Sequence, residues 1–301
     1  MKIIYGLNHI KKFKKPVVTL GVFDGVHRGH LEILKAAVRQ ARRMRGTSVV
    51  VTFWPHPQRE ENLYSLEHRL RLIKEIGIDV CIVINFNEKF ARVSAVDFVK
   101  NILFKKIRAH YIYVGKNFRF GRNAEGNFEI LGRLSKFYNF KLKTFKVSKI
   151  NNRPISSTYI RVLIKKGKLT TAQKLLTRPV SILGSVIKGD SLARRLGFPT
   201  ANIEAHHEVI PPSGIYAVKI IFNHRKLNGI CNIGMKPTFK RQGEKHIEVY
   251  IFNFRSNIYG KYLELQFIKK IREERKFHSA HALAEQIRKD IVAVQRIFSR
   301  H

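Results

Sequence analysis

The sequence predicts two domains: an α/β domain, a parallel sheet with helices on both faces, over residues 1–180, then a small antiparallel β-barrel with a C-terminal helix over residues 181–301. Three observations predict this. Strand-like and helix-like stretches alternate from residue 16 onward, the pattern of repeated βαβ units. Pro179 interrupts a helical stretch, and short β-rich runs separated by turn residues follow it. The 301 residues suffice for two ordinary domains, and 44% apolar with 26% charged residues is the balance of a chain that folds around a core, which excludes a disordered protein.

In order, "PVVTLGVF" reads as a strand, His30 to Arg45 as a helix, "TSVVVTF" as a strand and "SLEHRLRLIKEIG" as a helix. "DVCIVINF", "SAVDFVKNILFKKI" and "AHYIYVG" continue the series as strand, helix and strand. Ligands of such sheets bind beyond the carboxyl ends of the strands. "ISSTYIRVLIKKGKLTTAQKLL" has helical periodicity up to the boundary near residue 180. Beyond it, "VSILGSVIKGD", "SGIYAVKIIFN", "KLNGICNIGM", "KHIEVYIFNF" and "KYLELQFIKKI" are strand runs, and "SAHALAEQIRKDIVAVQRIF" is one long helix. No internal repeat joins the halves.

The net charge is +37, divided as +26 over residues 1–180 and +11 over 181–301. Basic residues are spread along the chain rather than gathered in a block, and no DNA- or RNA-binding signature accompanies them, so a solvated basic surface accounts for the excess better than dedicated nucleic-acid binding. No run of about 18 apolar residues is present, and "MKIIYGLNHIKKFKK" lacks a signal-peptide core, which predicts a soluble, cytoplasmic protein. Cys81 and Cys231 lie in strand-like apolar runs, as buried thiols do, without zinc-ligand spacing.

The turn "DGVHRGH", residues 24–30, falls between the first strand and the first helix. Free backbone N–H groups and the helix dipole at such a place favour phosphate. His27 and His30 can each donate a hydrogen bond to phosphate oxygens, and Gly29 between them permits close approach. Read alone, the pair is equally a helix cap beside a surface residue.

"GVFDGVHRGH" resembles the H-x-G-H signature of the nucleotidyltransferase superfamily, and its flanks resemble the adenylyltransferase half of the bacterial bifunctional riboflavin kinase/FMN adenylyltransferase (FAD synthetase) family. "TFWPHP" at 52–57, "VGKNFRFG" at 114–121 and "ISSTYIR" at 155–161 agree in order. The resemblance implies that His27 and His30 hold ATP phosphates while the FMN phosphate attacks the α-phosphorus, with Mg²⁺ as helper and no covalent intermediate. It implies nucleotide-phosphate contacts for Gly29, Ser157, Thr158 and Arg161, and a flavin-pocket or turn role for Phe23, Asp24 and His56. Asn117 would lie in the nucleotide, metal or flavin region; many members carry Asp there, a stronger Mg²⁺ ligand than an amide. "ISST" alone reads as a helix cap.

"GSVIKGDSLARRLGFPTAN", residues 184–202, combines a glycine-rich basic loop with a proline-fixed turn. Thr200 and Asn202 offer hard oxygen ligands for Mg²⁺, and an ordinary β-turn accounts for the stretch equally well. In "IEVYIFNF" the Glu248 carboxylate alternates away from the Ile–Val face; it is either solvent-facing or a general base in a pocket. These stretches, with "LGFPTAN", "PPSGIYAV", "GICNIGMKPTF" and "YGKYLELQFIKKIREERKF", resemble the riboflavin kinase module of the same family. The resemblance implies Mg²⁺ and ATP phosphates on Thr200 and Asn202, and Glu248 as the base for the riboflavin 5′-hydroxyl. It implies a phosphate loop holding Gly189, Arg194 and Gly197, and a flap with Arg272 and Phe277 near the flavin. Ala193 stands where the family usually has glycine.

The substrates implied are riboflavin, FMN and ATP. Three alternatives stay open: one active half only, another adenylyltransferase with a different phosphate acceptor, or a basic protein that binds nucleic acid non-specifically on an enzyme scaffold. The sequence does not give an oligomeric state.

Overall fold

The computed structural model describes residues 1–56, 61–150, 152–189, 196–235 and 245–299. Their packing forms two units, Met1–Asn62 with Leu66–Ser157, and Leu63–Ser65 with Thr158–His301.

The first unit is built on six strands, β1 (Lys2–Tyr5), β2 (Val17–Leu20), β3 (Ser48–Trp54), β4 (Val80–Asn85), β5 (Tyr111–Gly115) and β6 (Lys141–Phe145). All pair in parallel in the order β1-β4-β3-β2-β5-β6. β3 and β4 are almost unbroken runs of buried β-branched and aliphatic residues, as strands covered on both faces must be. Neighbouring residues of β2 serve opposite faces. Val17 packs with Ile33, Ala37 and Ala41 of helix α1 (Arg28–Arg43), whereas Val18 and Leu20 pack with Phe98, Val99 and Ile102. Those last three belong to a helix that begins at Ala95–Asp97 and continues through Phe98–Lys106 in wider π-type turns.

β1, β6 and the helix Phe128–Phe137 are absent from the sequence-based expectation. β1 buries only Ile4 and β6 fully buries none of its residues, so neither edge strand carries the apolar run that marks a strand in sequence. From β2 the chain moves outward through β3 and β4, then returns to β5 on the other side of β2. The carboxyl ends of β2 and β5 therefore flank the switch point of the sheet, where α/β sheets bind ligands.

From Thr158 onward the second unit holds most of the helix Ser157–Lys165 and all of the helix Leu169–Leu176. Six antiparallel strands follow: β7 (Ser181–Ile187), β8 (Thr200–Glu204), β9 (Gly214–Phe222), β10 (Arg225–Met235), β11 (Lys245–Ile251) and β12 (Tyr262–Arg272), closed as a barrel in the order β8-β11-β10-β9-β12-β7. The C-terminal helix Ala280–Ser299 packs Val294 and Ile291 on Ile215, Ala217 and Ile230 of β9 and β10. Cys81 and Cys231 are both free and fully buried.

Two candidate active sites

The turn after β2 is backbone-strained. Phe23, Gly25 and Val26 have φ of 54°, 79° and 40°, a region that a β-branched valine enters only where surrounding structure forces it. The forcing groups are identifiable. Phe23, Asp24, Val26 and His27 are buried. The Val22 carbonyl accepts hydrogen bonds from Arg69 Nη1 at 2.6 Å and Thr52 Oγ1 at 3.0 Å, and the Asp24 carbonyl accepts one from Ser157 Oγ at 2.8 Å. The turn delivers His27 to the N-cap position of α1, where its side chain makes no capping hydrogen bond. Instead the His27 and His30 rings stack 3.6 Å apart and 17° from parallel, and Phe23 meets His30 edge-on at 5.3 Å. A Cβ on Gly29 would stand 3.3 Å from Ser148 Oγ and 3.5 Å from the His27 ring, so the missing side chain keeps clear the space between them.

Beside the histidines a 710 Å³ pocket opens between the ends of β2 and β5. Phe23, His30, His56 and Asn117 all line it. Phe53, Phe86, Phe90, Phe98, Phe118 and Phe120 supply aromatic walls, enough for a large planar ring. Asp24 does not line this pocket; its carbonyl serves the turn. Ser157 and Arg161 lie one helical turn apart, Arg161 buried, with Thr158 exposed beside them.

On the barrel, Thr200 and Asn202 share one face of β8, and Asn202 pairs in register with Glu248 of β11, which pairs in turn with Asn232 of β10. Along β11, Ile247, Val249 and Ile251 are buried, while His246, Glu248 and Tyr250 alternate with them on the other face, half-buried. Phe198 packs edge-on against Tyr250 at 6.0 Å, anchoring the turn before Thr200 to the strand that carries Glu248. His246 Nε2 lies 2.9 Å from Glu248 Oε1 and 3.1 Å from Asn202 Oδ1. Burial first, and the Glu248 charge second, push the nearby Cys231 thiol well above its ordinary range, so it is no nucleophile.

Gly189 lies against the Asn202 amide, and Gly197 turns with a φ of 88° over open space. Arg272 is engaged by the protein itself. Its Nε and Nη2 hydrogen-bond the Asp290 carboxylate at 2.7–3.1 Å, Nη1 donates to the Glu273 carbonyl, and its guanidinium stands 5.8 Å from the Phe277 ring centre. Ala193 and Arg194 lie outside the described residues.

The family model for FAD synthetase matches residues 9–159, and that for riboflavin kinase matches residues 176–298. A bifunctional riboflavin kinase/FMN adenylyltransferase of Buchnera aphidicola subsp. Schizaphis graminum is 38% identical over 99% of this chain and 99% of its own. The chain belongs to the bifunctional riboflavin kinase/FMN adenylyltransferase family. Relatives of the same description from Escherichia coli K12 and Bacillus subtilis are 32% and 36% identical, covering 99% and 95% of the chain. The crystal structure of a macrolide-efflux protein from Streptococcus pneumoniae superposes with a TM-score of 0.83 and 28% identity, covering 98% of this chain and 99% of that one. Efflux is said of that protein; among the described residues here, no helix is long and apolar enough to cross a membrane.

Within the FMN adenylyltransferase domain, sequence reasoning missed Arg69 and Thr52, which hold the Val22 carbonyl and thereby the histidine turn. An arginine only 1% exposed was not visible as such in "SLEHRLRLIKEIG", where it reads as part of a solvated face. Within the riboflavin kinase domain it missed His246 and Asp290. The one available signal was the period of two: His246 sits two residues before Glu248 and so shares its face.

Proposed function

We propose that the chain phosphorylates riboflavin to FMN in its C-terminal domain and adenylylates FMN to FAD in its N-terminal domain, releasing pyrophosphate, with the domain limit near residue 180. The observation that carries this reading is the coexistence of two separate phosphate-handling arrangements in one chain: stacked histidines at a helix N-terminus beside an aromatic pocket, and a Thr200–Asn202–Glu248 face on a barrel.

In the first domain, an oxygen of the FMN phosphate attacks the α-phosphorus of ATP and the bond to the β-phosphate oxygen breaks. His27, His30 and the N–H groups opening α1 hold the triphosphate and meet the charge that grows on the leaving pyrophosphate. Gly29 keeps that approach open, and Ser157, whose hydroxyl meets the turn at the Asp24 carbonyl, supplies a further nucleotide contact. Phe23, His56 and Asn117 shape the pocket that receives the flavin ring, with Asp24 holding the turn.

In the second domain, Glu248 takes the proton of the riboflavin 5′-hydroxyl, whose oxygen attacks the γ-phosphorus as the bond to the β-phosphate oxygen breaks. Hard oxygen donors on one face, the Thr200 hydroxyl and the Asn202 amide oxygen, suit Mg²⁺ carried in with phosphates. When bound, that ion neutralises charge on the transferring phosphate. Gly189, Arg194 and Gly197 belong to the stretch that meets the ATP phosphates, and Phe277, flanked by Arg272, faces the flavin. The reaction runs in the cytoplasm, where ATP is supplied.

Chromatographic resolution of riboflavin, FMN and FAD over time, with ATP and Mg²⁺ present, tests the reading. FMN is expected to rise and then give way to FAD. His27→Ala should stop at FMN, and Glu248→Ala should leave riboflavin unconverted yet still adenylylate added FMN. No flavin product from the unmodified protein would overturn the proposal.

A further inference from the structure

We propose that His246 is a positioning residue for riboflavin phosphorylation, its single Nε2–H clamping the Glu248 carboxylate and the Asn202 amide oxygen in their working orientations. The inference rests on the reading of Glu248 as the base in the barrel.

The geometry is specific. His246 Nε2 stands 2.9 Å from Glu248 Oε1 and 3.1 Å from Asn202 Oδ1. Both oxygens are acceptors, so a lone pair on that nitrogen would face two others; the nitrogen must carry the hydrogen and share it between them. Without a donor, the carboxylate and amide oxygens brought side by side by the β8–β11 register would repel each other. A carboxylate also turns easily about its last bond, which has only a broad two-fold preference. Fixing Oε1 selects one rotation and thereby aims the other oxygen at the hydroxyl proton. The amide oxygen has two lone pairs, so accepting from His246 leaves one to ligate a hard cation or to accept a hydrogen bond from a phosphate-bound water.

Gly189 backs the Asn202 amide, so that side chain is confined from both sides. His246 shares the half-buried face of β11 with Glu248, their side chains 29% and 23% exposed, so the clamp forms at the rim where substrate would arrive. Its purpose is aim rather than affinity, and its loss should appear in kcat and leave KM for riboflavin alone.

The test uses the full chain with His246→Ala, His246→Asn and His246→Gln, measuring kcat and KM for riboflavin phosphorylation and, on the same preparations, FMN adenylylation. Glutamine places an N–H at the reach of Nε2, whereas asparagine ends one bond short. Alanine and asparagine should lower the kinase kcat by about 10–100-fold with KM for riboflavin little changed, glutamine should recover most of the rate, and adenylylation should be the same in all. If the alanine variant does not fold, the asparagine–glutamine pair decides. Equal kinase rates for those two, or a loss confined to KM, overturns the clamp alone. Full kinase activity in Glu248→Gln overturns the base assignment, and the clamp with it.

Discussion

Gly189→Ala should disable riboflavin phosphorylation by displacing Asn202. A Cβ at position 189 would lie 2.7 Å from Asn202 Oδ1, about 0.7 Å inside ordinary contact at 3.4 Å, and closer still to the amide carbon and nitrogen. The backbone of Asn202 is fixed by pairing to β7 and β11, so the side chain must yield, and it leaves the His246 hydrogen bond as it does. A misplacement of about 1 Å in a positioned reacting group costs roughly 10²-fold in rate, or about 2.7 kcal/mol of transition-state stabilisation. The kinase kcat should therefore fall about 100-fold, with FMN adenylylation unchanged as the internal control. Gly197→Ala separates this clash from a general intolerance of the loop. Its Cβ meets nothing within 4 Å, but its φ of 88° makes an alanine strained, so its effect should be a backbone cost of about 1–2 kcal/mol. Steady-state assays of both reactions on both variants decide the matter. A Gly189→Ala enzyme with a kinase kcat within about three-fold of the unmodified protein would refute the reasoning, because an undisturbed Asn202 cannot coexist with that methyl group.

Gly29→Ala should leave stability unchanged or raise it by up to about 1 kcal/mol, since alanine favours a helix, yet reduce FMN adenylylation at least about ten-fold by filling the space between His27 and Ser148; thermal melting and the adenylylation assay together check it. Asp290→Ala removes the carboxylate that accepts from Arg272 and from Gln286 Nε2, leaving a guanidinium only partly able to reach water, and should destabilise the barrel by about 2–3 kcal/mol in urea titration. Burial pushes the Cys81 thiol from 9.0 up to about 12, with Arg69 opposing more weakly, so native protein at pH 8 should not react with Ellman's reagent, while in urea both thiols should. Because the folded state keeps that proton and the unfolded state releases it, this group's contribution to stability is full below pH 9 and declines as pH rises from 9 toward 12, which urea titrations across that range would show.

The sheet strands that could be read from sequence are those buried on both faces. β2, β3, β4 and β5 announce themselves as apolar runs because helices cover them on either side. β1 and β6 lie at the edges and pack few side chains, Ile4 on one and the partly buried Leu142 and Phe145 on the other, with residues such as Lys141 and Lys143 turned to solvent, and the backbone hydrogen bonds that complete them leave no mark on composition. The strand order likewise has no local signature. It is that order, placing β5 beside β2 rather than beside β4, that joins the His27 turn and the Asn117 turn across one pocket.

The same division runs through the sites. Residues that meet phosphate come in short clusters, His27 with His30 and Thr200 with Asn202, because a turn or a strand face presents neighbours of fixed spacing, and such clusters can be found in a sequence. Residues that aim them come from elsewhere in the chain. Arg69 reaches Val22 from 47 residues away, and His246 reaches Asn202 from 44. Arg69 is an ordinary polar residue in its own stretch and acquires meaning only when the fold closes, and His246 shows in sequence only the period of two that sets it on the face of Glu248. The strained φ of Val26 makes the point physically: the turn that displays the histidines is not the conformation its own residues prefer, so its geometry is imposed by Arg69, Thr52 and Ser157 through two backbone carbonyls. Removing one of those donors should therefore relax the turn before it disturbs the sheet, and the histidine pair would lose its alignment while every motif residue remained in place.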